Sequence, residues 1–341
     1  MKNKQLRRLI HFIIKLVQIL LFIPIQILFI PIVVIGLIIG IYKEFIISKK
    51  IGVSFSAGQV LQSRWFMHYF KTRPDPITVE FTKKFPCESH FALWSVMGAF
   101  IVSQRLFGFK TWLAKVVKPE EANLAATSGS RIVVFDKIME KYVNEMEQIV
   151  LPGSGFDFIT LRYSEGKKIK VFELDLANTL NVKVETLRKA GIKHDWITYI
   201  PVDYNSESWV DKLLEAGFDK TKKTLFFWQS VSLYLDVNIV KEALREMADL
   251  CVDGSVVVQD FYSETYCLGE YSYLAKRNMK LIEKMGEPTK FGIKMSNNPK
   301  EAVSSFLNDC GLKMTDYIQF GEKLNIEPFY CIVESERKKY D

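Results

Sequence analysis

The chain has 341 residues, 48% of them apolar, which is enough for one large domain or two with a packed core. Its formal charge of +7 resides in the first 50 residues, which contain eight Lys/Arg and one acid. Residues 51–341 therefore sum to about zero, which argues against a nucleic-acid partner. The five cysteines form no Cys-x-x-Cys pair and there are only four histidines, so we expect buried, reduced thiols and no metal site.

An uncharged apolar stretch runs from Leu16 to Tyr42. As a helix, these 27 residues would extend about 40 Å, which exceeds the hydrocarbon layer of about 30 Å. A secretory signal has a shorter apolar core and a small-residue cleavage site, so we expect a retained membrane segment. The default is one tilted span. The alternative is a shallow re-entrant hairpin, because Pro24 and Pro31 can kink a helix and Lys/Arg flank both ends.

Residues 51–129 are rich in aromatic side chains at mainly helical spacing. The simplest interpretation is a set of helix-packing faces. The alternatives are a lid over an apolar substrate or an interfacial patch against lipid, and Trp65, Trp94 and Trp112 fit either. We therefore predict three units: a membrane anchor (1–50), a helical lobe or lid (51–129) and an α/β domain (130–341) that faces the cytoplasm.

From Ser130 onward, strand-like and helix-like stretches alternate. Such alternation predicts a doubly wound, Rossmann-like sheet of seven mostly parallel strands with helices on both faces. The last two strands are joined by a short loop, so we expect an antiparallel final strand. The five earlier strand-like runs are "QIVLP", "KIKVFELD", "WITYIPVD", "TLFFWQS" and "SVVVQDFY".

A glycine turn, "LPGSGFD", follows the first of these strands. Gly153 and Gly155 lack the Cβ that would keep a ligand away from the backbone at the carboxyl ends of the strands. The dinucleotide-binding fingerprint requires a third glycine where Phe158 stands. The pair alone is equally well explained as an ordinary turn.

Two acids strengthen the ligand interpretation. Asp175 ends the second strand, 20 residues after Gly155, where a carboxylate can accept both hydroxyls of a ribose. Asp203 ends the third strand, where it can receive an adenine amino group. Each acid alone could be a helix N-cap, but two of them after a glycine turn favour an adenosine compound. The chain has no phosphate-cradling G-x-x-x-x-G-K-[ST] run and nothing suited to a pyrophosphate, so S-adenosylmethionine is favoured over a dinucleotide.

From about Gly129 to Ser263 the chain resembles the leucine carboxyl methyltransferase family, whose members are S-adenosylmethionine-dependent methyltransferases of the class I fold. The membrane segment lies outside the common pattern. The matching motifs are, in chain order, Arg131 and Asp136 in "GSRIVVFDKI", "LPGSGFD" with Asp157, Arg162, Glu173 and Asp175 in "ELD", Lys183, Val202-Asp203, Trp209, "AGFD" at 216–219, and Tyr234-Leu235.

The resemblance implies a role for each matched site residue. Arg131 would pair with the carboxylate of the methionine moiety, and Gly153 and Gly155 would line its backbone path. Asp175 would bind the ribose, and Asp203 the adenine.

Three departures from the family pattern concern the same site. Pro152 stands where a Leu is usual, and Phe158-Ile159 replace a Thr-Arg pair. Gln229 replaces a Glu, which removes a negative charge near the bound sulfonium. We therefore expect Gln229 to contact the donor but to bind it more weakly.

The sequence thus predicts a membrane-anchored S-adenosylmethionine-dependent O-methyltransferase with a carboxyl or hydroxyl acceptor on a small or lipid-like molecule. A carboxylate acceptor is already ionised, so alignment of the reactants suffices and no catalytic base is assigned. Arg162 could hold an acidic acceptor and Tyr234 or Tyr262 could orient it, although a structural role explains each of them as well. The alternatives are a cofactor-binding protein that has lost transfer, and an NAD(P)-dependent oxidoreductase.

Overall fold

The computed structural model describes residues 2–109, 111 and 115–339. Trp112, which was assigned to the aromatic lobe, lies outside the described residues. The described N-terminal part is helical. Its α-helices are α1 (Lys2–Ile41), α2 (Ser48–Ile51), α3 (Phe55–Tyr69), α4 (Pro76–Lys84) and α5 (His90–Phe107).

The N-terminal helix continues without a break through Pro24 and Pro31, and a π-helical turn, Tyr42–Ile47, joins it to α2. Within the described chain, one helical stretch, Gln5–Ile51, is long and apolar enough to cross a membrane. A re-entrant hairpin would need a turn, and this stretch contains none. The described structure is therefore that of a single long helix.

Helix α5 packs antiparallel along one side of α1. At one end, Gln18 Nε2 donates a hydrogen bond of 2.9 Å to the carbonyl oxygen of Phe107. Towards the other end, a Cβ on Gly36 would lie 2.0 Å from Ser95 Oγ. Small residues of this kind allow two helix backbones to approach closely. From Leu16 onward, most of the remaining α1 surface is apolar and exposed, as at Leu28, which is 75% exposed.

The aromatic lobe has a core of its own, which α3, α4 and α5 enclose. Trp65 is fully buried and packs with Leu93 and Met97. Its indole Nε1 donates to His90 Nδ1 over 3.1 Å. Trp65 is therefore a helix-packing residue, whereas Trp94 is half-buried at the edge of this core.

Seven strands form one sheet in the part of the chain that the structure describes. In the order β3-β2-β1-β4-β5-β7-β6, the first five strands along the chain are parallel and the last is antiparallel to both of its neighbours. The predicted fold class is confirmed, including the reversed final strand. The strands are β1 (Gln148–Pro152), β2 (Lys170–Asp175), β3 (Ile197–Pro201), β4 (Thr224–Trp228), β5 (Val256–Tyr262), β6 (Leu312–Gln319) and β7 (Tyr330–Arg337).

Helices connect the strands and cover both faces of the sheet. Gly191 and Gly217 follow two of them with φ values of 67° and 91°, so the predicted helix ends are confirmed. Ser208 caps the start of the second of these helices by accepting the backbone N–H of Asp211. The helices are α6 (Thr127–Tyr142), α7 (Ile159–Ser164), α8 (Ala177–Lys189), α9 (Trp209–Glu215), α10 (Val237–Leu250), α11 (Glu264–Cys267), α12 (Tyr273–Lys284) and α13 (Pro299–Asn308).

The central strands are apolar on both faces because helices cover both sides of the sheet. In β1, Val150 belongs to the core on one face, while Ile149 and Leu151 belong to the core on the other. All five cysteines are free and buried, as predicted. The strand order reverses between β1 and β4, and their carboxyl ends therefore border the crevice in which such sheets bind ligands.

Candidate functional site

The glycine turn lies at this reversal point. Gly153 and Gly155 have φ values of 68° and 44°, in the left-handed region that favours glycine. A Cβ on Gly153 would lie 2.2 Å from Cγ2 of Val231, which follows β4. Gly153 is therefore required both by its backbone conformation and by its packing against the segment after β4.

Asp175 is joined directly to this turn. Its Oδ2 accepts the backbone N–H of Gly155 over 2.7 Å, and its Oδ1 accepts that of Leu176 over 2.8 Å. Burial raises the pKa of the Asp175 carboxyl group, and the two backbone hydrogen bonds offset this effect only in part. Because each carboxylate oxygen has two lone pairs, both oxygens retain capacity to accept a ligand hydroxyl.

Arg131 projects from α6 to the ends of β4 and β5. Its Nη1 donates to the hydroxyls of Ser230 and Tyr262, and it lies 3.7 Å from Asp260 Oδ2. Burial alone would lower the pKa of Arg131, but Tyr262, Tyr330 and Asp260 raise it above its usual value. The guanidinium therefore stays charged. It has five N–H groups, and the hydrogen bonds to Ser230 and Tyr262 use only those on Nη1.

Asp260 holds the backbone after β4 in an unusual conformation. Ser230 has a φ of 52°, which is uncommon for a residue with a side chain. Asp260 Oδ1 accepts the backbone N–H of Ser230 over 2.6 Å, and Oδ2 accepts its hydroxyl over 2.9 Å. Tyr330 also donates to Oδ2, over 2.7 Å. Strained backbone of this kind is found preferentially at functional sites.

Buried polar atoms without partners lie along the same edge of the sheet. Ser154 Oγ in the glycine turn, Tyr204 Oη after β3 and Gln229 Nε2 after β4 are all buried, and none of these atoms has a hydrogen-bond partner among the residues that the structure describes. A buried polar group without a partner costs free energy, so each one requires an explanation. A ligand with several polar groups in the crevice would provide these partners.

Asp203 lies beyond β3 in a turn. Its Oδ1 accepts both the backbone N–H and the side-chain amide of Asn205, each over 2.9 Å. These bonds lower its pKa below the usual range. Within the described hydrogen bonds, Asp203 is thus a turn-forming residue, and its predicted contact with adenine stays a prediction. Burial raises the pKa of the adjacent Tyr204, and the nearby carboxylate of Asp175 raises it further.

The helical lobe covers the glycine turn. A Cβ on Gly155 would lie 3.2 Å from Ala57 Cβ, in the first turn of α3. Further along α3, Arg64 forms an ion pair with Asp157 and donates to the carbonyl oxygen of Phe156 over 3.1 Å. The Glu287 carboxylate accepts the first two backbone N–H groups of α3, over 2.7 and 3.1 Å. The lobe and the turn are therefore in direct contact.

Phe158 departs from the family pattern for a visible reason. It is fully buried, and its ring centroid lies 4.8 Å from that of Phe81 in α4. Phe156 packs 4.5 Å from Phe85 in the same cluster. The residues after the glycine turn thus form the apolar contact between the sheet and the lobe.

Two charged residues of the family motifs have structural partners. Lys183 Nζ lies 2.6 Å from Glu173 Oε2, and both side chains are fully buried. Arg162 donates to the carbonyl oxygen of Pro74 over 2.8 Å and lies 3.7 Å from Asp75. Arg162 therefore links α7 to the lobe, and a structural role accounts for it.

Tyr234 and Tyr262 border the crevice beside Arg131. Burial raises the pKa of both phenols well above the usual value. Both side chains consequently stay protonated at neutral pH, which makes them hydrogen-bond donors rather than bases. Among the residues that the structure describes, no group of three or more His, Cys, Asp or Glu side chains could hold a metal ion.

The comparison with known families agrees with this site. Residues 88–248 match the family model of leucine carboxyl methyltransferase. This segment is therefore similar to the leucine carboxyl methyltransferase family. The match covers Arg131, the glycine turn, Asp175, Asp203 and Gln229, and the resemblance seen in the sequence is confirmed. It begins near the start of α5 and so includes part of the lobe.

Two curated proteins that resemble this chain are described by the same activity. A protein of Frankia alni, named as a candidate S-adenosyl-L-methionine-dependent methyltransferase, is 30% identical over 131 residues, or 36% of this chain and 45% of that protein. A protein of Bacillus subtilis with the same name is 26% identical over 183 residues, or 52% of this chain and 58% of the relative. The chain spans about half the length of the curated relatives that it matches.

Solved structures show only a distant likeness. An O-methyltransferase family protein from Burkholderia thailandensis aligns with a TM-score of 0.44 and 11% identity, covering 72% of this chain and 61% of that protein. The fold assignment rests on the strand order itself.

Several residues of the site escape sequence reasoning. Asp260 is signalled only by an acid within the apolar run "VVVQDFY", and Tyr204 only by its position next to Asp203. Arg64 contacts Phe156 and Asp157, and Glu287 binds the start of α3. Both come from segments that are distant in the chain from their partners, and no local pattern marks them.

Proposed function

We propose that this protein is an S-adenosylmethionine-dependent O-methyltransferase that α1 attaches to a membrane, with its α/β domain in the cytoplasm. The observation that carries the proposal is the hydrogen bond between Asp175 and the Gly155 backbone. It lies at the reversal point of the sheet, within the segment that matches a methyltransferase family model. The acceptor is a carboxyl or hydroxyl group of a small or lipid-like molecule.

The residues present fit the donor. Asp175 would accept the ribose hydroxyls, and Arg131 would pair with the methionine carboxylate through N–H groups other than those on Nη1. The turn from Gly153 to Gly155 would lie along the backbone of the donor. Asp203 would receive the adenine amino group through its remaining lone pairs. The partnerless atoms of Ser154, Tyr204 and Gln229 support a polar ligand in the same crevice.

The bound donor supplies an electrophilic methyl group on a positively charged sulfur. In the reaction, an acceptor oxygen forms a bond to the methyl carbon while the carbon–sulfur bond breaks, and the electron pair stays on sulfur. A carboxylate acceptor carries no proton that must be removed. The protein contributes mainly by holding the two reactants in line. Such positioning supplies a large part of the lowering of the activation barrier in similar reactions.

The neutral side chain of Gln229 favours one other outcome. An acidic residue at this position would attract the positive sulfonium, and Gln229 offers only a hydrogen bond. A protein that binds the donor and no longer transfers the methyl group is therefore the second candidate. Both candidates predict donor binding and differ in turnover.

Donor binding is tested by calorimetry on the full chain in detergent, with S-adenosylhomocysteine as the ligand. We expect Asp175→Ala to weaken binding about 10- to 100-fold, since charge-assisted hydrogen bonds contribute about 1.5–3 kcal/mol. Asp253→Ala, at an exposed turn on the opposite edge of the sheet, should bind as the wild type does. Equal affinity of both variants would remove the ribose assignment.

Transfer is tested by incubating membranes that contain the protein with donor carrying a radiolabelled methyl group. Label in a small molecule or lipid that base treatment releases would identify a methyl ester and hence a carboxyl acceptor. Donor binding without label in any fraction would favour the second candidate.

A further inference from the structure

The exposed apolar side chains of the α/β domain are concentrated on one edge. In the described residues from 143 to 339, each large apolar side chain that is well exposed lies at the carboxyl edge of the sheet. Leu176, directly after β2, is 49% exposed, and Val237, after β4, is 43% exposed. Exposed apolar side chains clustered on one face of a protein mark an interaction surface.

The segment after β5 contributes the most prominent part of this edge. Leu268, Tyr273 and Leu274 are 63%, 73% and 65% exposed. They lie between α11 and the first turn of α12, and they are close in space because Gly269 packs against Lys276. These three side chains form an apolar tip that is exposed to solvent, and they belong to none of the hydrophobic cores in the described part of the chain.

The loop between β6 and β7 adds two more apolar side chains to the same edge. Leu324 and Ile326 are each 38% exposed. Because β7 is antiparallel to β5, this loop lies at the carboxyl end of β5. Thr265 and Tyr271 both hydrogen-bond to Glu327, which fixes the loop beside the apolar tip.

The opposite edge has a different composition. Its connections, at 165–169, 190–196, 219–223 and 252–255, contain mainly Lys, Asp, Gly, Ser and Thr, and no large exposed apolar side chain occurs in these four segments. The contrast between the two edges excludes a general excess of surface apolar residues as the explanation.

The membrane helix joins the domain at the apolar edge. Gly52, the first residue after α2, approaches Asn178 so closely that a Cβ on it would lie 3.0 Å from the Asn178 side-chain amide. Asn178 is two residues beyond Leu176, at the carboxyl end of β2. The exposed apolar edge is thus continuous with the helix that is apolar enough to cross a membrane.

Basic side chains border the apolar tip. Lys276, Arg277 and Lys280 are exposed on α12, and no carboxylate lies within ion-pair distance of them in the described part of the chain. Arg277 instead lies 5.9 Å from the ring of Tyr273. Apolar side chains flanked by unpaired Lys and Arg are the combination that binds the headgroup region of an anionic bilayer.

We propose that the carboxyl edge of the sheet is a second membrane-contact surface that lies against a phospholipid bilayer with anionic headgroups. Leu268, Tyr273 and Leu274 enter the interface, and Lys276, Arg277 and Lys280 contact the headgroups. Together with α1, this surface makes the crevice open towards the membrane.

The test uses the full chain in lipid nanodiscs and requires neither donor nor acceptor, so its outcome is independent of the proposed methyl transfer. An environment-sensitive fluorophore is attached at Leu274→Cys, with Asp253→Cys on the opposite edge as the matched control. The native cysteines are all buried and stay unlabelled. The discs contain phosphatidylcholine with phosphatidylglycerol, and a fraction of the lipids carry an acyl-chain nitroxide quencher.

We expect a blue shift and a loss of emission by quenching at position 274, and neither at position 253. The variant Lys276→Glu/Arg277→Glu/Lys280→Glu should reverse both changes at position 274. Water-like emission at position 274 in discs that contain only this protein and lipid would overturn the proposal and indicate a protein partner for the edge. Quenching that survives charge reversal would overturn the headgroup contact.

Discussion

Asp260 binds both the backbone N–H and the hydroxyl of Ser230, over 2.6 and 2.9 Å. Through this pair, a carboxylate in the middle of β5 fixes the left-handed residue that follows β4. Arg131 donates to the same hydroxyl, so one buried acid sets both the backbone and the cation on this side of the crevice.

Asp260→Asn removes the charge that balances the buried Arg131. Removing one partner of a buried ion pair typically costs about 3–5 kcal/mol, so we expect a loss of that order in the free energy of unfolding. Chemical denaturation of the detergent-solubilised chain measures it. Asp253→Asn, whose side chain is 85% exposed, should change stability by less than about 0.5 kcal/mol. Similar values for both variants would contradict the role of Asp260.

Gly153→Ala combines an unfavourable φ with a clash against Val231. Gly191→Ala is the matched control, because Gly191 has a φ of 67° and open space around it. We expect the control to cost about 1–2 kcal/mol from the backbone alone and Gly153→Ala to cost more. Val231→Ala introduced together with Gly153→Ala should restore part of the difference. Equal costs for Gly153→Ala and Gly191→Ala would show that Val231 has room to move away.

Lys183→Met leaves Glu173 buried without its cation. The two side chains are fully buried and 2.6 Å apart, so we expect a loss of about 3–5 kcal/mol in the free energy of unfolding. The double variant Glu173→Gln/Lys183→Met removes both charges and should regain much of that loss. A double-mutant cycle in urea measures the coupling, and additive effects of the two changes would argue against it.

Glu88 predicts a pH dependence of stability. Burial raises the pKa of its carboxyl group to about 8, and Glu44 acts in the same direction, while Gln62 and Lys43 act against it. The pKa of a glutamate in an unfolded chain is about 4.3. Between about pH 4.5 and pH 8, the folded state therefore binds more protons than the unfolded state, and the free energy of unfolding falls as the pH rises.

Glu88→Gln should remove this dependence. We expect the variant to match the wild type near pH 5 and to be more stable above pH 8, by a few kcal/mol at about 1.4 kcal/mol per pKa unit. Thermal unfolding at several pH values measures the difference. Glu283→Gln, an exposed change on α12, should follow the wild-type curve above pH 5. A variant curve for Glu88→Gln that parallels the wild type would refute the proposed titration.

The sequence predicted the parts of the fold that depend on local pattern. The apolar runs that end in Asp175 and in Tyr262 became β2 and β5 because both faces of the sheet are buried and both faces of each strand must be apolar. The final antiparallel pair was likewise predictable from a short connection. The interaction of α5 with α1 was not, because a contact between Gln18 and Phe107 joins segments 89 residues apart.

The candidate site was predictable only where a residue directly follows a strand. Gly155 and Asp175 meet as expected, since parallel strands end at one edge. Asp203 accepts hydrogen bonds from Asn205, a local partner that an acid in a turn commonly finds, and its contact with adenine stays a prediction. Glu287 reaches α3 from a loop 232 residues away in sequence, and only the packed structure reveals such contacts.

The connection between α2 and α3 is only three residues long, from Gly52 to Ser54. Even fully extended, it spans about 10 Å, so the candidate site stays close to the end of the N-terminal helical stretch. If this helix is anchored in a bilayer and the acceptor is lipid-like, as proposed above, the reaction rate depends on the number of acceptor molecules per unit area of bilayer and not on the volume of the surrounding solution. Dilution of the membrane lipid with inert lipid would then slow the reaction, whereas dilution of the suspension would leave it unchanged.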